Sequence, residues 1–200
     1  MSAAMDFRIE YEGPREALPP RELYDGYDAD SAFYDFMRTC VRATIVIGPT
    51  RLELTRVLFV DFLRSILAIA ESLLALPAER SDDQLHELLP EVPAAAKIYS
   101  WLAADWMMWI PLVIFATDGA AVWIYSRTRS EEEGYPLIVK EGRDRAEPVI
   151  APRPAVVAEI HAFLTRVFDD LAATLPFITS DALYRRYRER IDALRSGSTN

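Results

Sequence analysis

Hydrophobic and polar residues alternate in two short segments of the N-terminal half, and this pattern predicts β-strands. In residues 7–12 every second residue is aromatic or aliphatic and its neighbours are charged. This is typical of a half-buried strand or an extended arm. The second segment spans residues 41–55 and is interrupted by Gly48-Pro49-Thr50. Because glycine and proline favour turns, we interpret it as a hairpin.

The stretch from Val57 to Leu76 is the longest apolar segment, and it predicts a helix. Its polar and small residues form one narrow stripe at helical spacing: Asp61, Arg64, Ser65, Ala68, Glu71 and Ser72. A helix that is apolar around most of its girth needs cover on several sides, so we expect it at the centre of the fold. Three charged residues argue against a membrane span, which needs about 20 residues with few or no charges.

The clearest hairpin signal is Asp118-Gly119, between apolar segments at 110–116 and 120–128. Asp-Gly supplies the positive φ angles of a two-residue type I′ turn, which predicts Thr117 opposite Ala120. One face of the hairpin then carries Val113, Phe115, Val122 and Ile124, and the other carries Leu112, Ile114, Trp123 and Tyr125. Both faces are apolar.

Further elements complete the predicted fold. Strands are predicted at 135–140 and 148–150, and helices at 81–89, at 94–106, from Pro154 to about Pro176, and after Ser180-Asp181. The order predicts an α+β fold in which one antiparallel sheet of about five or six strands, with two hairpins, packs with the central apolar helix and C-terminal helices. We divide the chain into an acidic N-terminal arm and loop (1–40), a single α+β domain (41–195) and a disordered tail (196–200).

Charge separates the arm from the rest of the chain. The 200 residues carry a net charge of −9, and residues 1–37 hold nine acids against three arginines. Such a balance argues against binding to nucleic acid or to an anionic membrane surface. The N-terminus has neither a basic start nor an apolar run, so we expect a cytoplasmic protein.

The inventory of chemically active residues is small. Two histidines, one cysteine and seven glycines occur in the chain. His86 and His161 lack neighbours at zinc-ligand spacing, and Cys40 lies in an apolar alternation typical of a core residue. No glycine-rich phosphate loop and no Gly-x-Ser-x-Gly motif is present. We therefore expect no catalytic residues, no metal and no cofactor, and we lean towards a protein that is not an enzyme.

Two surfaces are candidates for binding a partner. Residues 24–30 interleave tyrosines with aspartates, which suits docking on a basic protein, and the second hairpin face is apolar. This face is covered either by helices of the same chain or by a partner. The candidate partner-binding residues are Tyr24, Asp25, Tyr27, Asp28, Asp30, Trp123 and Tyr125.

The leading hypothesis is a non-catalytic protein-interaction protein of bacterial origin. A concrete version is an immunity or antitoxin protein that blocks a basic toxin, such as a nuclease, by presenting carboxylates where a phosphate backbone otherwise lies. The alternative is an enzyme or small-molecule binder with a pocket formed by Trp101, Asp105, Trp106 and Trp109, to which Trp123 adds a further wall. A third hypothesis is a homo-oligomer that uses the hairpin face.

Overall fold

The computed structural model describes residues 7–14, 36, 42–54, 56–75, 97–102, 112–127 and 148–197. The strands are β1 (Phe7–Glu12), β2 (Arg42–Ile47), β3 (Thr50–Leu54), β4 (Lys97–Leu102), β5 (Leu112–Thr117), β6 (Ala121–Arg127) and β7 (Val149–Pro152). The α-helices are α1 (Arg56–Ala75), α2 (Arg153–Thr174) and α3 (Ala182–Gly197), and a 3₁₀ helix (Pro176–Ser180) joins α2 to α3.

The strands form two antiparallel sheets, so the α+β class is confirmed and the single sheet of about five or six strands is wrong. The first sheet has the order β1-β2-β3 and the second has the order β4-β5-β6-β7. Helix α1 contacts β2 and β3 of the first sheet and β4 of the second, so both sheets pack against one central helix. Packing against this shared helix, rather than strand pairing, joins the two groups of strands.

The predicted hairpin around Gly48 is confirmed. Ile47 pairs with Thr50, so the turn consists of Gly48 and Pro49 alone, and Thr50 belongs to β3. Gly48 has a φ of 55°, whereas the ring of Pro49 restricts it to negative φ. A positive φ at the first turn residue alone is the type II′ pattern, which matches the twist of paired strands.

Strand β1 joins this sheet although it lies within the predicted N-terminal arm. It pairs with β2 along its whole length, from Phe7 opposite Ile47 to Glu12 opposite Arg42. Phe7 and Ile9 are each 1% exposed and belong to the main hydrophobic core. This part of the arm is therefore integrated into the fold.

The second hairpin is present, but its predicted register is wrong. Thr117 pairs with Val122 instead of Ala120. The Asp118 carboxylate accepts hydrogen bonds from the backbone N–H groups of Ala120 and Ala121, both at 2.9 Å, which stabilises a longer loop. A shift of two residues preserves the side-chain alternation, so the predicted faces remain the same.

The helix predicted over 94–106 is also wrong where it can be compared, because residues 97–102 form β4. The flanking alanines favour a helix, but the segment between them is rich in the β-branched and aromatic residues that favour strands. Strand β7 agrees with the strand predicted at 148–150. The helix predicted at 81–89 and the strand predicted at 135–140 lie outside the described residues.

Helix α1 has the predicted central position. It contacts β2, β3 and β4 as well as α2 and α3. Among the side chains of α1 that the structure describes, those at most 5% exposed are Phe62, Leu63, Ile66, Leu67, Ile69, Ala70 and Leu73. Among the helices described, none combines the length and the apolar character needed to cross a bilayer.

The two C-terminal helices follow the sequence prediction closely. Pro154 lies in the first turn of α2, and the Asp181 carboxylate accepts hydrogen bonds from the N–H groups of Leu183 and Tyr184 at the start of α3. α3 continues to Gly197, inside the segment predicted as a tail. One core cluster unites both sheets and all three helices, and Phe7 meets Phe115 edge-on across it at 5.8 Å.

Candidate functional site

The second sheet has one buried face and one face that is only partly covered. Val113, Phe115, Val122 and Ile124 are at most 1% exposed, as the alternation predicts for the core-facing side. On the opposite face Trp123 is half-buried, and Ile150, its cross-strand neighbour on β7, is 61% exposed. We call this side the outer face and define it by Ala121, Trp123, Ile150 and Pro152.

Ile150 points outward because its two neighbours on the strand point inward. Val149 packs against the core and Ala151 is 2% exposed, so alternation along the strand leaves Ile150 no inward direction. The end of β7 is held in place by Arg153, whose backbone N–H donates to the carbonyl oxygen of Ala120 at 3.0 Å. The outer face is therefore part of a well-anchored sheet.

Sequence reasoning missed Ile150 as a site residue, although it predicted the strand that carries it. All three residues from Val149 to Ala151 are apolar, so the sequence pattern gave no signal for which of them is exposed. Tyr125, which was predicted for this site, has the same strand parity as Trp123 and pairs with Ile114. The other predicted partner-binding residues, Tyr24, Asp25, Tyr27, Asp28 and Asp30, lie outside the described residues.

The alternative pocket falls mainly outside the described part of the chain. This applies to Asp105, Trp106 and Trp109. Trp101 pairs with Val113 and Trp123 pairs with Ala116. Positions 113 and 116 lie on opposite sides of β5, so the two tryptophan positions lie on opposite faces of the sheet. No single face of the sheet carries both of them. The pocket itself stays a prediction.

Two arginines of α3 have structural partners on other helices. Arg190 makes two parallel hydrogen bonds of 2.7 Å to the Glu71 carboxylate of α1, and this carboxylate raises the pKa of Arg190. Arg188 donates to Asp169 of α2 at 2.6 Å. These contacts link α3 to α1 and α2, whereas Arg185 and Arg186 of α3 are exposed.

His161 belongs to α2, near charged residues of α3, and is partly buried. Its Nε2 atom is 3.5 Å from the Thr165 hydroxyl, and burial lowers the pKa of the imidazole. In the described ranges, no three His, Cys, Asp or Glu side chains are grouped in a way that could hold a metal ion. His86 and Cys40 lie outside those ranges.

The outer face also has an ionised group near one end. Asp118 is exposed in the loop before Ala121, and the hydrogen bonds from the N–H groups of Ala121 and Ala120 lower the pKa of its carboxyl group. The carboxylate therefore stays charged at neutral pH. An apolar pair with a fixed negative charge beside it is suited to contact with another protein.

Comparisons of the chain with protein-family models, with curated proteins and with solved structures find no match.

Proposed function

We propose that this protein binds a basic protein through the outer face of its second sheet and carries out no chemistry of its own. The concrete form of the proposal is a bacterial immunity or antitoxin protein that inhibits a basic toxin. The observation that carries it is Ile150, which is 61% exposed beside the half-buried Trp123.

The apolar part of the outer face has the character of an interface centre. Protein interfaces concentrate their binding energy in a few residues, and tryptophan is among the most enriched. Burying an isoleucine side chain completely contributes about 1.5–3 kcal/mol, of which the exposed part of Ile150 remains available to a partner. Trp123 and Ile150 pair directly across β6 and β7, so one partner side chain can contact both.

The net charge of the chain indicates the charge of the protein that it binds. The net charge of −9 attracts a basic surface over distances beyond direct contact and accelerates association. Asp118 supplies a fixed charge next to the outer face. A basic toxin that binds nucleic acid has the complementary potential, and a bound acidic protein competes with its substrate.

The test begins with affinity purification of the tagged protein from its native host, followed by identification of any partner recovered in a 1:1 ratio. The purified partner is then titrated calorimetrically with wild type and with Ile150→Glu. We expect Ile150→Glu to weaken binding at least about tenfold, because a carboxylate placed against the apolar side chains that contact Ile150 must lose its hydration, even though the partner is basic overall. Partner activity, such as nuclease cleavage, is measured with and without the wild-type protein.

Ala68→Glu is the matched control, since Ala68 is exposed on α1 and the substitution adds the same charge. It is expected to bind like wild type. The proposal fails if no stoichiometric partner is recovered, if the partner is acidic, or if Ile150→Glu and Ala68→Glu bind equally well.

A further inference from the structure

Two side chains of α2 bind the outer edge of β1. β1 is the outermost strand of the first sheet, and among the described residues no strand pairs with its outer edge. The backbone N–H of Ile9 donates to Oε1 of Glu159 at 2.8 Å, and Nη2 of Arg166 donates to the carbonyl oxygen of Ile9 at 3.3 Å. A carboxylate and a guanidinium thus stand where the carbonyl and N–H of a neighbouring strand otherwise lie.

These two hydrogen bonds fix which backbone groups of β1 point outward. Because antiparallel ladders alternate, a residue whose N–H and C=O bind α2 directs neither group at β2. Ile9 is therefore the outward-facing position at the centre of the exposed edge. A strand added here would exchange both of its central hydrogen bonds with Ile9.

The sequence of β1 complements itself in that register. In an antiparallel pair centred on Ile9 of two copies, Arg8 of one copy lies opposite Glu10 of the other, and this occurs twice by symmetry. Phe7 lies opposite Tyr11 on the other side of the strand. Opposite charges and aromatic pairs are the cross-strand neighbours that stabilise antiparallel sheets.

We propose that Glu159 and Arg166 block strand addition at the outer edge of β1. We further propose that this edge is complementary to β1 of a second copy of this chain. Unpaired strand edges promote association between sheets, and proteins commonly block them with charged side chains. The edge of β1 is separate from the outer face, so this proposal can be tested independently of the proposed function.

The test compares Glu159→Ala/Arg166→Ala with wild type by light scattering over a concentration series. We expect the double variant to reach about twice the wild-type mass at concentrations where the wild-type mass is constant. Glu71→Ala/Arg190→Ala is the matched control, because it also removes one acid and one arginine that join separate elements. The control is expected to keep the wild-type mass.

The register is tested by charge reversal in the double-variant background. Adding Arg8→Glu places like charges opposite each other and is expected to lower dimer affinity about tenfold, while Glu10 keeps its partner Arg51 within the chain. If the double variant folds poorly, Arg166→Ala alone is used, since Arg166 is exposed and its loss still frees the Ile9 carbonyl. Constant wild-type mass in every folded variant, or association that is insensitive to charge reversal, overturns the proposal.

Discussion

The outer strands β1 and β7 end their sheets in opposite ways. β1 has two of its apolar side chains at 1% exposure, and the outward backbone groups of Ile9 are bonded to α2. β7 turns Ile150 to solvent at 61% exposure. The apolar side chains Phe7 and Ile9 of β1 are thus buried within the fold, whereas β7 leaves part of its apolar surface exposed to solvent.

The largest expected effect separates the two strands by stability. Ile9→Ala is expected to lower the free energy of unfolding by about 2–5 kcal/mol, because it leaves a cavity in the core. Ile150→Ala is expected to change it by no more than about 0.5 kcal/mol, as exposed substitutions usually do. Chemical denaturation measures both values. Equal losses would show that the two strands are equally committed to the core.

The next effect concerns the turn that contacts β7. Gly48→Ala is expected to cost about 1–2 kcal/mol, because Gly48 has a φ of 55° and an added Cβ would lie 3.3 Å from Cγ2 of Val149. Gly13→Ala, just after β1, is the control: there the added Cβ would meet only the Asp170 carboxylate, a side chain that can rotate away. Thermal unfolding of the two variants compares them, and a larger loss for Gly13→Ala would contradict this expectation.

A smaller effect is expected in the loop beside the outer face. Asp118→Ala removes the acceptor for the N–H groups of Ala120 and Ala121 and is expected to destabilise the protein by about 1 kcal/mol. Asp118→Asn keeps an acceptor oxygen and is expected to recover most of this loss. Denaturation midpoints distinguish the two. If Asn and Ala are equally unstable, the charge of Asp118 matters more than its hydrogen bonds.

The smallest expected effect is a pH dependence at His161 of α2. Burial lowers the pKa of His161 below its usual 6.5, while Asp192, Arg195 and Arg188 surround it with opposing charges. Below pH 6.5 the unfolded chain gains a proton that the folded protein resists, so stability is lost as the pH falls towards the folded-state pKa. His161→Gln should show a shallower loss between pH 7 and about 5. A slope identical to wild type would assign the dependence to other groups.

Local patterns predicted the elements well where one signal dominated. The polar stripe of α1 and the capping aspartate of α3 each depend on residues close in sequence, and both are present in the structure. The register of the second hairpin was mispredicted because a side-chain carboxylate, rather than backbone preference alone, decides the loop. The division into two sheets depends on long-range packing, which no local pattern contains.

The candidate site was only partly predictable for the same reason. Alternation identified Trp123 as a residue of the second face, since period-two patterns fix which side a strand residue takes. It did not identify Ile150, because exposure depends on which strand is outermost, and the sequence alone does not order the strands. Likewise, the roles of Glu159 and Arg166 arise only when α2 lies against β1.

Arg153 connects the outer face to the middle of the molecule. Its backbone N–H binds Ala120 at the hairpin tip, and its guanidinium donates to the carbonyl oxygen of Leu73 near the end of α1 at 2.9 Å. A displacement of β7 is therefore transmitted to α1 through Arg153, and not along the intervening chain. Amide exchange near the end of α1 should consequently slow when the outer face is occupied, which makes this helix an internal reporter of binding.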